Sequence, residues 1–158
     1  MSRRYRLLRE QAYDEGRASF DLLAVDPTFR DFVCMYIGEG SKRSRGTVAI
    51  CNSDPCVVQL GAAWITRLTR NKVSYLLQYH ADQQLDGMVA LWAARLDIGV
   101  HEVKVLRKSN SNSLNGRGWR SQYGVLTVRV GDTMLRARLQ AWMDRVREDW
   151  IDSPGDGA

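Results

Sequence analysis

DPTFRDFVCMYIGEGSKRSRGTVAIC, residues Asp26 to Cys51, holds a helix start, a helix, a helix stop, a basic turn and a strand in that order. Asp26 supplies a side-chain oxygen to cap the first turn, and Pro27 has the fixed φ that suits the first helical position and lacks only an N–H the helix would not use. Phe29, Phe32, Val33, Tyr36 and Ile37 recur at helical spacing, and Gly38 and Gly40 mark the end. TVAIC, Thr47 to Cys51, is β-branched and short, and reads as a strand.

The same start signal returns at Asp54-Pro55, followed by Val57, Leu60, Gly61, Trp64, Ile65 and Leu68 on one face for about four turns before Asn71. VSYLLQY, Val73 to Tyr79, predicts a strand. A helix is expected from about Asp86 to Leu96, with Leu85, Met88, Val89, Trp92 and Leu96 inward and Gly99 closing it. His101–Lys108 and Tyr123–Val130 alternate in period two and are expected to be two antiparallel strands joined by a long polar hairpin loop, Ser109 to Gln122. Asp132 caps a last helix with Leu135, Leu139, Trp142, Met143, Val146 and Trp150 along its stripe. The expected fold class is α+β, a small antiparallel sheet covered by helices. Three segments follow: a basic N-terminal arm or helix over 1–25, the α+β domain over 26–150, and a disordered tail over 151–158.

A chain of 158 residues with 44% apolar side chains is long enough for its own core, which argues against extensive disorder. No apolar run reaches the roughly 18 residues of a membrane span, and Met1–Tyr5 lacks a signal-peptide core, so no membrane partner and a cytoplasmic location are expected. Cys34, Cys51 and Cys56 make an odd count, too sparse for a disulfide framework. Zinc on Cys51, Cys56, His80 and His101 is not expected, because the spacing is irregular and both histidines are isolated.

The net charge of +5 favours polyanions. It is unevenly placed. Val103 to Gly131 contains no Asp or Glu but holds Lys104, Arg107, Lys108, Arg117, Arg120 and Arg129, and Gly40 to Ser53 is also acid-free around Lys42, Arg43 and Arg45. A two-stranded basic ribbon fits the major groove of DNA, where Arg can pair bidentately with guanine. A solvated sheet face with a polar loop would show the same pattern. Trp119 and Tyr123 suit base stacking or anchoring of the hairpin, and Asn110, Asn112 and Asn115 suit adenine edges or loop chemistry.

In FVCMYIGEG, Phe32 to Gly40, Cys34 and Gly38 are small residues four apart, a spacing that lets two helix backbones approach closely. In a homodimer this would set Glu39 beside its symmetry mate, and two carboxylates make a hard-oxygen site for a divalent cation. An ordinary helix end with a solvated acid has the same sequence. FVCMYIGEG followed by SKRSRGTVAI resembles the signature of the LAGLIDADG homing endonucleases, and YIGEGSK with Asn52-Ser53-Asp54-Pro55 is also similar to a group of bacterial proteins carrying that domain. In layout the likeness extends over about Asp26 to Trp150.

The resemblance implies a homodimer in which Cys34 and Gly38 pack the motif helices together. It implies Glu39 as the catalytic acid and, with Gly38, the place of Mg²⁺, and strands lying along double-stranded DNA that is cut by phosphodiester hydrolysis. The alternative it leaves is a sequence-specific DNA-binding regulator on the same scaffold without catalysis. The chain departs from the signature at Lys42-Arg43 and in the helices after Asp54 and Asp86; Lys104 and Lys72 are the candidates for the family's pocket lysine. A protein-interaction module without DNA binding is the third reading.

Overall fold

A computed structural model of the chain describes residues 2–108 and 121–153. Its elements are α1 (Arg3–Leu23), α2 (Pro27–Glu39), β1 (Thr47–Asn52), α3 (Pro55–Leu68), β2 (Ser74–Tyr79), α4 (Leu85–Leu96), a short 3₁₀ turn (Val100–Glu102), β3 (Val103–Arg107), β4 (Val125–Gly131) and α5 (Thr133–Asp152). The class is α+β, as expected. The chain falls into two compact units, one made from Met1–Val48 with Gly131–Ala158 and one from Ala49–Val130.

The first unit is helical. Its N-terminal segment, open between arm and helix in the sequence, is the 21-residue helix α1, capped by Ser2, whose hydroxyl accepts from the Tyr5 N–H at 3.3 Å. Asp26 and Asp132 cap α2 and α5 as their positions predict, accepting from the N–H groups of Thr28 and Leu135. Phe29, Phe32, Val33 and Tyr36 of α2 are buried, as are Leu135, Leu139, Trp142, Met143 and Val146 of α5. Trp150, expected on the same stripe, is exposed at the helix end.

Helices α1 and α5 pack closely at Gly16, where a Cβ atom would stand 2.8 Å from the Arg138 carbonyl oxygen and 2.9 Å from the Ala141 Cβ. The Trp142 indole N–H donates to the Gly16 carbonyl at 2.9 Å, and the Phe29 ring lies edge-on to it at 5.1 Å. Ion pairs rim the contact, among them Arg17 with two bonds to Glu148 and Arg30 with Asp149 at 3.0 Å.

The sheet, with α3 and α4, makes up the second unit apart from the outer ends of β1 and β4. Strand order is β1-β4-β2-β3. β2 pairs antiparallel with β4, Leu76 opposite Thr127, and parallel with β3, Leu76 opposite Lys104. The sheet is therefore mixed, and the expected antiparallel hairpin of β3 with β4 is not formed, since β2 lies between them. The physical reason is α4. A helix joining β2 to β3 returns the chain to the same end of the sheet, which permits a parallel neighbour, as a tight turn could not. The Lys108 N–H continues that ladder by donating to the Tyr79 carbonyl at 2.8 Å.

One further expectation changes at the end of α4. The helix closes on Asp97 in the left-handed conformation, φ 54°, and not on Gly99, which instead opens the 3₁₀ turn and donates its N–H to the Glu102 carboxylate at 2.8 Å. Gly124 also has a positive φ, 67°; a Cβ there would sit 2.6 Å from the Gln78 carbonyl and 2.7 Å from the Met88 Cε. Helix α4 thus reaches the sheet where only glycine fits between them. The expected tail lies partly outside the described residues: α5 runs through Asp152, and 154–158 are not described. No described helix is long and apolar enough to cross a membrane.

Candidate nucleic-acid interface

Alternation in the strands separates two sheet faces. Tyr75, Leu77, Val103, Leu126 and Val128 share one face through their register, and all are buried. Ser74, Leu76, Gln78, Lys104, Leu106, Val125, Thr127 and Arg129 fall on the other face by the same pairing, and none of them is buried. This second face is open and, among its described residues, carries no carboxylate. Lys104 and Arg129 both stand on it, and Lys108 falls on it by parity with Lys104. Arg107 pairs with Tyr79 and belongs to the opposite face. Strand β3 is one of the sheet's two edges, with Lys104, Val105, Leu106 and Arg107 all exposed.

The basic ribbon expected from β3 and β4 is therefore replaced by a four-stranded surface on which three of its cations, Lys104, Lys108 and Arg129, share a face across β2. Arg117 and Arg120 lie outside the described residues, as do Trp119, Asn110, Asn112 and Asn115.

The GEG turn lies in the helical unit. The buried Tyr36 donates its hydroxyl to the Ser41 carbonyl at 2.8 Å, and the Gly40 N–H donates to the Tyr36 carbonyl at 2.8 Å. A side chain at Gly40 would overlap the Tyr36 ring, which explains the second glycine. Lys42 turns back to donate its ammonium to the carbonyls of Ile37 at 2.8 Å and Gly40 at 3.0 Å. It thereby closes the C-terminal end of α2, where unpaired carbonyls and the helix dipole favour a cation. Arg43 and Arg45 are exposed and line, with Lys42, a cleft that also takes side chains from α1 and α5.

Glu39 is exposed on the last turn of α2, and Gly38 has open space where a Cβ would project. Cys34 is half-buried. Among the described residues no three His, Cys, Asp or Glu side chains converge as metal ligands, at Glu39 or at the cysteines and histidines. One copy of the chain thus brings a single carboxylate to the place where the resemblance puts Mg²⁺, and a complete ligand set would need a second copy. Lys72 and Lys104 both belong to the other unit and are exposed.

Three cations of the cleft were not legible as site residues: Arg6 and Arg9 of α1 and Arg136 of α5. The only signal for the first two was the basic run at the N-terminus. Arg136 follows Leu135 and precedes Leu139 by one turn, so it sits on the inward stripe of α5, where an arginine is unexpected. No protein-family model matches the chain, and neither a curated protein nor a solved structure matches it.

Proposed function

We propose that this chain binds double-stranded DNA on the open face of its four-stranded sheet. The observation that carries the reading is a strand surface with no carboxylate among its described residues, which Lys104 and Arg129 share from either side of β2. Strands of this kind lie along a groove, lysine and arginine neutralise phosphates, and the polar Ser74, Gln78 and Thr127 between them have donors and acceptors for base edges. Phosphate contacts release counterions, so affinity falls with salt. A mobility-shift titration at several salt concentrations tests this. Lys104→Gln with Arg129→Gln should weaken binding and flatten the slope of log K against log salt by about 2. Undiminished binding by the double variant, or no DNA binding at low salt, overturns the proposal.

A second reading adds cleavage. Glu39 is exposed at the end of α2, and Gly38 and Cys34 leave that helix without bulk on one side, as a homodimer contact between two copies of α2 requires. Paired Glu39 carboxylates would hold Mg²⁺, which supplies an activated water for phosphodiester hydrolysis. In this reading Glu39 is the residue whose charge matters. Supercoiled plasmid with Mg²⁺ should be nicked by the wild type and left intact by Glu39→Gln, while both shift DNA equally. A wild type that shifts DNA and never nicks it is a DNA-binding regulator.

A further inference from the structure

We infer that the cleft of the helical unit is a phosphate-binding site in which Arg9 and Arg136 grip one phosphate through guanidinium N–H groups that the fold leaves without acceptors. The cleft has a volume of about 590 Å³. Arg6 and Arg9 of α1, Lys42, Arg43 and Arg45 after α2, and Arg136 of α5 all line it, against one carboxylate, Glu10. Glu10 is drawn to Arg6, 3.9 Å away and one helical turn back.

Arg136 is only 6% exposed, yet among the described residues no carboxylate binds it directly. Its Nη1 donates to Gln140 Oε1 at 3.1 Å; the Gln140 amide donates to Asp144 Oδ1 at 2.9 Å, and the Tyr13 hydroxyl donates to Asp144 Oδ2 at 2.8 Å. This chain of bonds fixes one edge of the guanidinium. The Nε of Arg136 and the Nε of Arg9 are both shut off from solvent and have no acceptor among the described residues. Buried polar groups are ordinarily paired, and buried charges more so. Burial, and then the like charge of Arg9, push the Arg136 guanidinium below its usual range, against the favourable influence of Tyr36. A half-buried Arg9 beside a buried Arg136, each with an Nε–Hε that has no acceptor among the described residues, is an arrangement that a tetrahedral oxyanion completes once the two side chains turn those edges to the cleft, because each guanidinium offers directed N–H groups to a separate oxygen. Arg43 and Arg45 at the exposed rim suit the remainder of a phosphate-bearing ligand.

The site stands apart from the proposal for the sheet face and does not depend on it. Its test uses the full chain and inorganic phosphate, titrated against sodium chloride at matched ionic strength. The expected result is a saturable shift of two arginine Nε–Hε resonances together with a rise in Tm that chloride does not give. Arg9→Gln should weaken phosphate binding about tenfold or more, in line with loss of a charge-assisted hydrogen bond. Arg136→Lys keeps the charge and lacks the planar donor set, and should weaken it similarly; if that buried substitution unfolds the chain, Arg9→Gln and the resonance of Arg136 carry the test.

Competition separates the sources of the phosphate. A duplex that displaces inorganic phosphate makes the bound group part of a nucleic-acid backbone, and a duplex that leaves it in place makes the site one for a free phosphate compound. A chain that binds phosphate and no DNA overturns the sheet-face proposal alone. Absence of any phosphate-specific shift, or identical binding by Arg9→Gln, overturns the phosphate site.

Discussion

Gly16 and Asp97 show how much a single position can require of its backbone. At Gly16 the obstruction is the main chain and a Cβ of α5, neither of which can rotate aside. Gly16→Ala should therefore destabilise the protein by about 1–3 kcal/mol, although alanine is the better helix former, and urea unfolding would measure it. Asp97 is the opposite case: an L-residue at φ 54° in a cap position that glycine occupies with less strain. Asp97→Gly should raise stability by about 0.5–1 kcal/mol in the same assay. The local sequence hid both. Gly16 lies inside a helical run where glycine is usually a defect, and Gly99 two positions on looked like the better stop. What distinguishes them is the partner helix in one case and the path of the chain into the 3₁₀ turn in the other.

Elements show the balance between pattern and context more plainly. The starts of α2, α3 and α5 are legible because each cap is a local hydrogen bond that an aspartate accepts from a backbone N–H two or three residues on. The buried stripes of α2 and α5 were readable because apolar spacing sets them. Between those helices, charge does further work. The Asp149 carboxyl is held below the usual carboxylate range, first by the hydrogen bond from Arg30 and then by that from Arg145, outweighing its partial desolvation. Because its folded value is depressed, its contribution is complete above the ordinary carboxylate range and is lost as pH falls through the lower folded value. Asp149→Asn should accordingly be less stable than wild type at pH 7, and the two Tm values should converge in acid. Strand pairing was the failure at this scale. Alternation gives the inward face of β4, with Leu126 and Val128 buried, and on β3 it holds at Val103 but not at Val105, which the edge position leaves exposed; alternation also carries no information about neighbours, and the shortest link in sequence is not the link in space.

Across the whole molecule, the first unit is built from the two ends of the chain, with Ala49–Val130 intervening. Helix α1 buries Ala12, Gly16 and Phe20, and its packing partner α5 comes more than a hundred residues later. Isolated helices in water are marginal without such packing. A chain ending at Val130 should thus lose more far-UV helical ellipticity than the 20 residues of α5 account for, a comparison that circular dichroism makes directly. The same long-range closure explains why the cleft was not legible: Arg9 and Arg136 stand at opposite ends of the sequence, and only the packing of α1 on α5 joins them to the segment after α2.

By itself the sequence determined the α+β class, the positions of α2 to α5 and of the strands, most of their apolar faces, and the acid-free stretches that supply the cations of the sheet face. Those properties depend on neighbours within a few residues, through capping, periodicity and composition. Tertiary structure decided the strand order, the parallel partner of β3, which basic side chains share a face, and the burial of Arg136. These arise from contacts whose members are far apart along the chain, and loop closure can bring many alternatives together at nearly the same entropic cost, so only the packing itself selects one.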